Sequence, residues 1–112
     1  MRMPTKWLRL GISCHMLALL STGCADITPI EDGSQYGPVT VIQDWFTSFA
    51  LIRSGDETVV VDAGFRSGTV ESRLADYNLD PRDIGKVFMT HGHGDHVGGL
   101  ELFENAQVHA LE

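Results

Sequence analysis

Thr90-His91-Gly92-His93-Gly94-Asp95-His96-Val97-Gly98-Gly99 is the stretch on which the reading of this chain turns. Three imidazoles and one carboxylate fall between His91 and His96, spaced by glycines that leave room for all of them. Packing does not explain such a density of ligating groups. An extended backbone points alternate side chains the same way, so His91 and His93 can approach one metal ion as a pair. Zinc suits that nitrogen environment. Gly94 frees the backbone to turn, which aims Asp95 and His96 past the first ion toward a second. Two adjacent cations lower the pKa of bound water to about 7 in favourable cases and polarise a carbonyl or phosphoryl oxygen. The pattern therefore points to metal-assisted hydrolysis, with His91, His93, Asp95 and His96 as the ligands.

Working outward, Lys86-Val87-Phe88-Met89-Thr90 has strand character, which puts the histidines at a strand-to-loop junction. Upstream of it, Asp80 can cap a short turn beginning at Pro81. Thr69 to Tyr77 reads as an amphipathic helix, with Val70, Leu74 and Tyr77 on one side and Glu71, Arg73 and Asp76 on the other. Val59 to Val61 is a continuous apolar run that implies burial on both faces. It ends in Asp62-Ala63-Gly64, which places a carboxylate at a second strand terminus. Val39 to Ile42 and Phe49 to Ile52 form a hairpin, and Ser54 to Glu57 is the polar turn leading on. Downstream, Val97, Leu100, Leu102 and Phe103 can pack one face of a helix, and Gln107 to Leu111 is another short strand. His109 on that strand has no ligating neighbour in sequence and reads as a surface or core histidine.

The first 23 residues have a different texture. Arg2, Lys6 and Arg9 flank the start, Leu10 to Leu20 is mainly apolar, and Ser21, Thr22 and Gly23 are small, which is the order of an export signal. The apolar stretch covers 11 residues, whereas a membrane-spanning helix needs about 20. Leu20 to Cys24 resembles a bacterial lipoprotein signal, which implies lipidation of Cys24 and a protein exported and tethered on the periplasmic side of a membrane. Residues 24–38, with Pro29, Gly33, Gly37 and Pro38, read as a linker. Beyond the signal, five basic side chains stand against fifteen acidic ones, a net −10 that repels nucleic acid. Cys14 and Cys24 are the only cysteines, so a metal in the folded part is held by nitrogen and oxygen.

Thr90 to Gly99, with its Gly-Gly continuation, resembles the HxHxDH signature of the metallo-β-lactamase superfamily. The resemblance extends to the apolar strand ending in Asp62-Ala63-Gly64 and to Asp80-Pro81-Arg82-Asp83-Ile84 before the motif strand. It implies an α+β fold, the N-terminal half of an αββα sandwich, over residues 39–112, preceded by the signal (1–23) and the linker (24–38). His91 and His93 would bind the first ion and Asp95 and His96 the second. Asp95 would be catalytic, orienting the attacking hydroxide, and Asp62 would support the site from behind. The cofactors implied are two divalent ions, zinc first, with iron or manganese permitted by the same donors.

The family closes its site with a further histidine, a bridging aspartate and a last histidine, none of which matches here. The chain is accordingly expected to be a first half, with an uncovered apolar sheet face and poor stability alone. The function implied is hydrolysis of a small ester, thioester, lactone or amide, with glyoxalase II-like members closest in motif type. The alternatives are an exported β-lactamase and a non-catalytic, membrane-tethered metal-binding fragment. Ribonuclease Z-like nucleases share a similar string but fit an export signal and an acidic surface poorly.

Overall fold

Alternation along Thr40-Val41-Ile42 and Phe49-Ala50-Leu51 puts one row of large apolar side chains on a single side of a hairpin. In the computed structural model, which describes residues 26–111, this hairpin is β2 (Val39–Asp44) and β3 (Thr47–Ser54), joined by Trp45-Phe46. The export signal and Cys24 lie outside the described residues. β1 (Gln35–Tyr36) pairs with β2, and β4 (Glu57–Val61) continues the antiparallel order beyond β3. β5 (Lys86–Met89) and β6 (Gln107–Ala110) then add in parallel, so the six strands run in sequence order in one mixed sheet. Parallel neighbours need a crossover. Helix α1 (Ser67–Ala75) and the turn Pro81–Asp83 supply the first; the short helix α2 (Gly94–Val97) and the turn Leu100–Leu102 supply the second.

The register sets Ile42 opposite Phe49, Leu51 opposite Val60 and Val60 opposite Val87. These five are buried, and Val70 and Leu74 of α1 cover them, with Ile84, Met89 and Phe103 completing the core. The other face carries Val41, Ala50, Ile52, Val59, Val61 and Phe88, which are half-buried or exposed. The run Val59–Val61 is thus not buried on both faces: Val60 is fully enclosed, but no described element packs on the side of Val59 and Val61.

Two further differences from the sequence reading, and the capping of α1, have identifiable causes. The C-terminal part of the 24–38 segment is not free chain, because Gln35 and Tyr36 pair with Thr40 and Val39 and Asp32 binds Arg73 at 2.6 Å. The apolar residues from Val97 to Phe103 do not form one helix, because Gly98 and Gly99 interrupt it. Helix α1 has no capping side chain of its own at Arg66. The cap comes from the fully buried Asp44, whose Oδ2 accepts the Phe65 and Arg66 N–H groups at 2.8 and 2.9 Å. That carboxylate answers the orphan N–H groups and the positive end of the helix from 22 residues away.

Gly98 and Gly99 are required by backbone proximity. Ala63 N–H donates to the His96 carbonyl at 2.7 Å, and Gly98 and Gly99 N–H donate to the Gly64 and Ala63 carbonyls, both at 2.8 Å. A Cβ on Gly98 would overlap the Phe65 carbonyl, and one on Gly99 would sit 2.6 Å from the Ala63 oxygen. Gly92 has no described atom within 4 Å of such a Cβ. Gly98→Ala is therefore expected to lower stability by about 1–3 kcal/mol or more, whereas Gly92→Ala should stay within about 0.5 kcal/mol of the parent. Urea denaturation of the two variants checks the contrast; equal midpoints would contradict the close approach.

Candidate metal centre

Asp62 leaves β4 with φ +64°, a left-handed conformation that aspartate tolerates better than most residues. Its N–H still extends the ladder to the Phe88 carbonyl at 2.8 Å, so the side chain is swung toward the end of β5. There Oδ1 accepts the Thr90 N–H at 2.8 Å, and Oδ2 accepts the Thr90 hydroxyl at 2.7 Å and the His96 ring at 2.9 Å. Burial, the largest influence, opposes ionisation. The Thr90 N–H, the Thr90 hydroxyl and the His96 ring together outweigh it and hold the carboxyl below its ordinary value of 3.8.

The ionised state of Asp62 dictates the protons around it. A carboxylate only accepts, so His96 donates from Nδ1 to Asp62. The Thr90 hydroxyl spends its one proton on Asp62, so at its 2.9 Å contact with His91 Nδ1 it must accept. His91 therefore also donates from Nδ1. One buried carboxylate, partly through a hydroxyl, prepares two imidazoles to present the same nitrogen. Metal-bound histidines are ordinarily oriented in this way by a carboxylate or carbonyl on the far ring nitrogen.

The rings converge as that chemistry requires. His91 lies 4.1 Å from His96 and 4.7 Å from His93, centroid to centroid. His96 Nε2 faces Asp95 Oδ2 at 3.3 Å and the Thr47 hydroxyl at 3.4 Å. One ligand atom each from Asp62, His91 and His96 fall within 4.8 Å of one another. Both Asp62 oxygens already accept hydrogen bonds, from Thr90 and His96. His93 packs against His91 from the exposed side, and Asp95 begins α2. His109 stands apart on β6, stacked on Phe88 at 4.8 Å. The donors are imidazole nitrogen and carboxylate oxygen with no sulfur among them, a set that fits zinc or a similar divalent ion.

Thr90 and Thr47 were not singled out from the sequence. Thr90 adjoins the motif, yet its role depends on a partner 28 residues earlier. Thr47 meets His96 across 49 residues, and nothing local signals that contact.

Comparison with known proteins agrees with this geometry. The domain of the metallo-beta-lactamase superfamily matches residues 42–111. The chain is 37% identical over 75 residues to metallo-beta-lactamase domain-containing protein 1 of Xenopus laevis, covering 64% of this chain and 27% of that protein. It is 39% identical over 51 residues to a ribonuclease of Thermus thermophilus, covering 45% of this chain and 12% of the ribonuclease. A solved B3 metallo-beta-lactamase with an active-site glutamic acid aligns with a TM-score of 0.60 and 28% identity, over 71% of this chain and 32% of that one. The chain thus spans at most 32% of the length of any of these three.

Asp62→Asn would replace an acceptor by an amide whose N–H groups face other donors. It is expected to weaken zinc binding about 10- to 100-fold, measured by competition with a chromophoric chelator. His109→Ala should leave the affinity unchanged. Equal affinity in the parent and Asp62→Asn chains would show that the carboxylate does not prepare the imidazoles.

Proposed function

Because this chain belongs to the metallo-beta-lactamase superfamily, we propose that it carries the His-x-His-x-Asp-His part of a metal-dependent hydrolase site acting on a small ester, thioester, lactone or amide. The observation that carries the proposal is the convergence of His91 and His96, each with Nδ1 engaged by Thr90 or Asp62, over the buried Asp62. When bound, divalent ions acidify water and polarise the substrate's carbonyl oxygen.

The chain's own residues divide the remaining work. His91, His93 and His96 supply neutral nitrogen ligands, and Asp95 with them a carboxylate. Asp95 is half-buried and open to solvent on one side, so it can accept a proton from the attacking water while orienting it. Asp62 and Thr90 keep the rings from rotating. The proposal includes two ions, zinc being the best match to these donors, with iron or manganese as the alternatives.

A β-lactam amide is the second reading, favoured by the likeness to the B3 metallo-beta-lactamase over 71% of the chain. The sequence features outside the described residues extend the proposal. The signal-like residues 1–23 and Cys24 support an exported, lipid-tethered protein, and the net charge of −10 after residue 23 supports a small-molecule substrate over nucleic acid.

Incubation of the purified, zinc-loaded chain with a phenyl ester, a thioester, a lactone, a chromogenic cephalosporin and an RNA oligonucleotide tests this reading. Any turnover of the ester, thioester or lactone by this first half of the site is expected to be slow and chelator-sensitive, and Asp95→Asn should lower its rate about 100-fold or more. Zinc binding without turnover of any probe is the outcome of the non-catalytic metal-binding reading, and preferential RNA cleavage would overturn the small-molecule assignment.

A further inference from the structure

Beside the imidazoles lies a cleft of about 320 Å³ with Asp95 and His96 at one end. One wall is the segment Ile30-Glu31-Asp32; the other is the β2–β3 hairpin, through Val41, Phe46 and Ser48. The first wall is fastened in place. Asp32 accepts the Gln43 N–H at 2.9 Å and binds the Arg73 guanidinium at 2.6 Å, and the next residue, Gly33, donates to the Val41 carbonyl at 2.8 Å. Residues 30–32 are thereby a built part of the site's surroundings and not a passing strand end.

The chemistry of the lining is uneven. Ile30 and Phe46 offer large apolar side chains that are 54% and 60% exposed. No lysine or arginine lines the cleft, while Glu31, Asp32 and Asp95 do. The charge of Asp32 is matched by Arg73, and Asp95 lies 3.3 Å from His96 Nε2 at the metal-site side of the cleft. Glu31 lines the cleft and forms no ion pair among the described residues. The volume is at the small end of ligand pockets, which run from about 300 to 1,000 Å³, so one short group fills it.

Resting on the hydrolase reading above, we infer that this cleft receives the substrate group next to the scissile bond, that this group is short, apolar and uncharged or cationic, and that Glu31 sets the selection against anionic substrates. Ile30 and Phe46 bind the hydrocarbon, and Glu31 favours an ammonium over a carboxylate at its end.

The test uses the full chain, isotope-labelled and held metal-free by chelator, titrated by two-dimensional amide NMR with hexylammonium, hexanamide and hexanoate. Hexylammonium and hexanamide are expected to shift the Ile30, Phe46 and Ser48 amides, with hexanoate binding more weakly. Glu31→Lys should change the hexylammonium-to-hexanoate affinity ratio by about fivefold or more toward hexanoate, Glu31→Gln should give an intermediate ratio, and hexanamide should be unaffected. Shifts centred elsewhere, hexanoate binding as tightly as hexylammonium, or a ratio indifferent to Glu31→Lys would overturn the inference. No metal or turnover enters the measurement. A chain that selects the ammonium probe yet binds no zinc at His91 and His96 refutes the metal-site reading and leaves the cleft's preference standing.

Discussion

A buried carboxylate has to fill its lone pairs or lose its charge. Asp62 fills them with the Thr90 N–H, the Thr90 hydroxyl and the His96 ring, all within 2.9 Å. That requirement ties the end of β4 to the end of β5 and fixes which nitrogen of His91 and His96 bears a proton. The residue sits at φ +64°, a conformation that costs about 1–3 kcal/mol in a non-glycine residue. It persists because the ladder bond to Phe88 on one side and the Thr90 and His96 contacts on the other determine it jointly. Removing the carboxylate would release the rings.

The same junction is locked a second time through the backbone. The turn Ala63-Gly64-Phe65 and the stretch His96-Val97-Gly98-Gly99 exchange three hydrogen bonds at 2.7–2.8 Å, and only glycine fits at Gly98. The glycine pair after the motif is thus structural: it lets the chain carrying Asp95 and His96 lie against the chain carrying Asp62. Asp44 steadies the far side of that turn by capping α1 at Phe65 and Arg66. Three carboxylates meet this region: Asp44 sets the turn, Asp62 holds His96, and Asp95 lies 3.3 Å from His96 Nε2.

The strands, helix α1 and the Asp80-capped turn were legible because period-2 and helical apolar patterns, a proline and an aspartate act over a few residues. The histidine cluster was legible for the same reason, its members being contiguous. What escaped was long-range. Asp44 looks like an ordinary strand-end residue until α1 folds back onto it, and Thr47 and Thr90 gain meaning only from His96 and Asp62. The two-residue β1 carries too short a pattern to announce itself, and Val59 and Val61 are half-buried because no described element packs on their face of the sheet. The expected single helix after Asp95 failed at Gly98, where close approach of two backbones outweighs helical apolar spacing.

Asp62, directly and through Thr90, engages Nδ1 of His96 and His91, which under the proposed function leaves Nε2 of both rings for the ion. Imidazole-nitrogen NMR of the labelled full chain, before and after one equivalent of zinc, reads this directly. The expected result is protonated Nδ1 on both rings throughout, a zinc-dependent shift of both Nε2 resonances, and no response from His109. Zinc on Nδ1 of His96, or a response from His109 equal to that of His91, would contradict it.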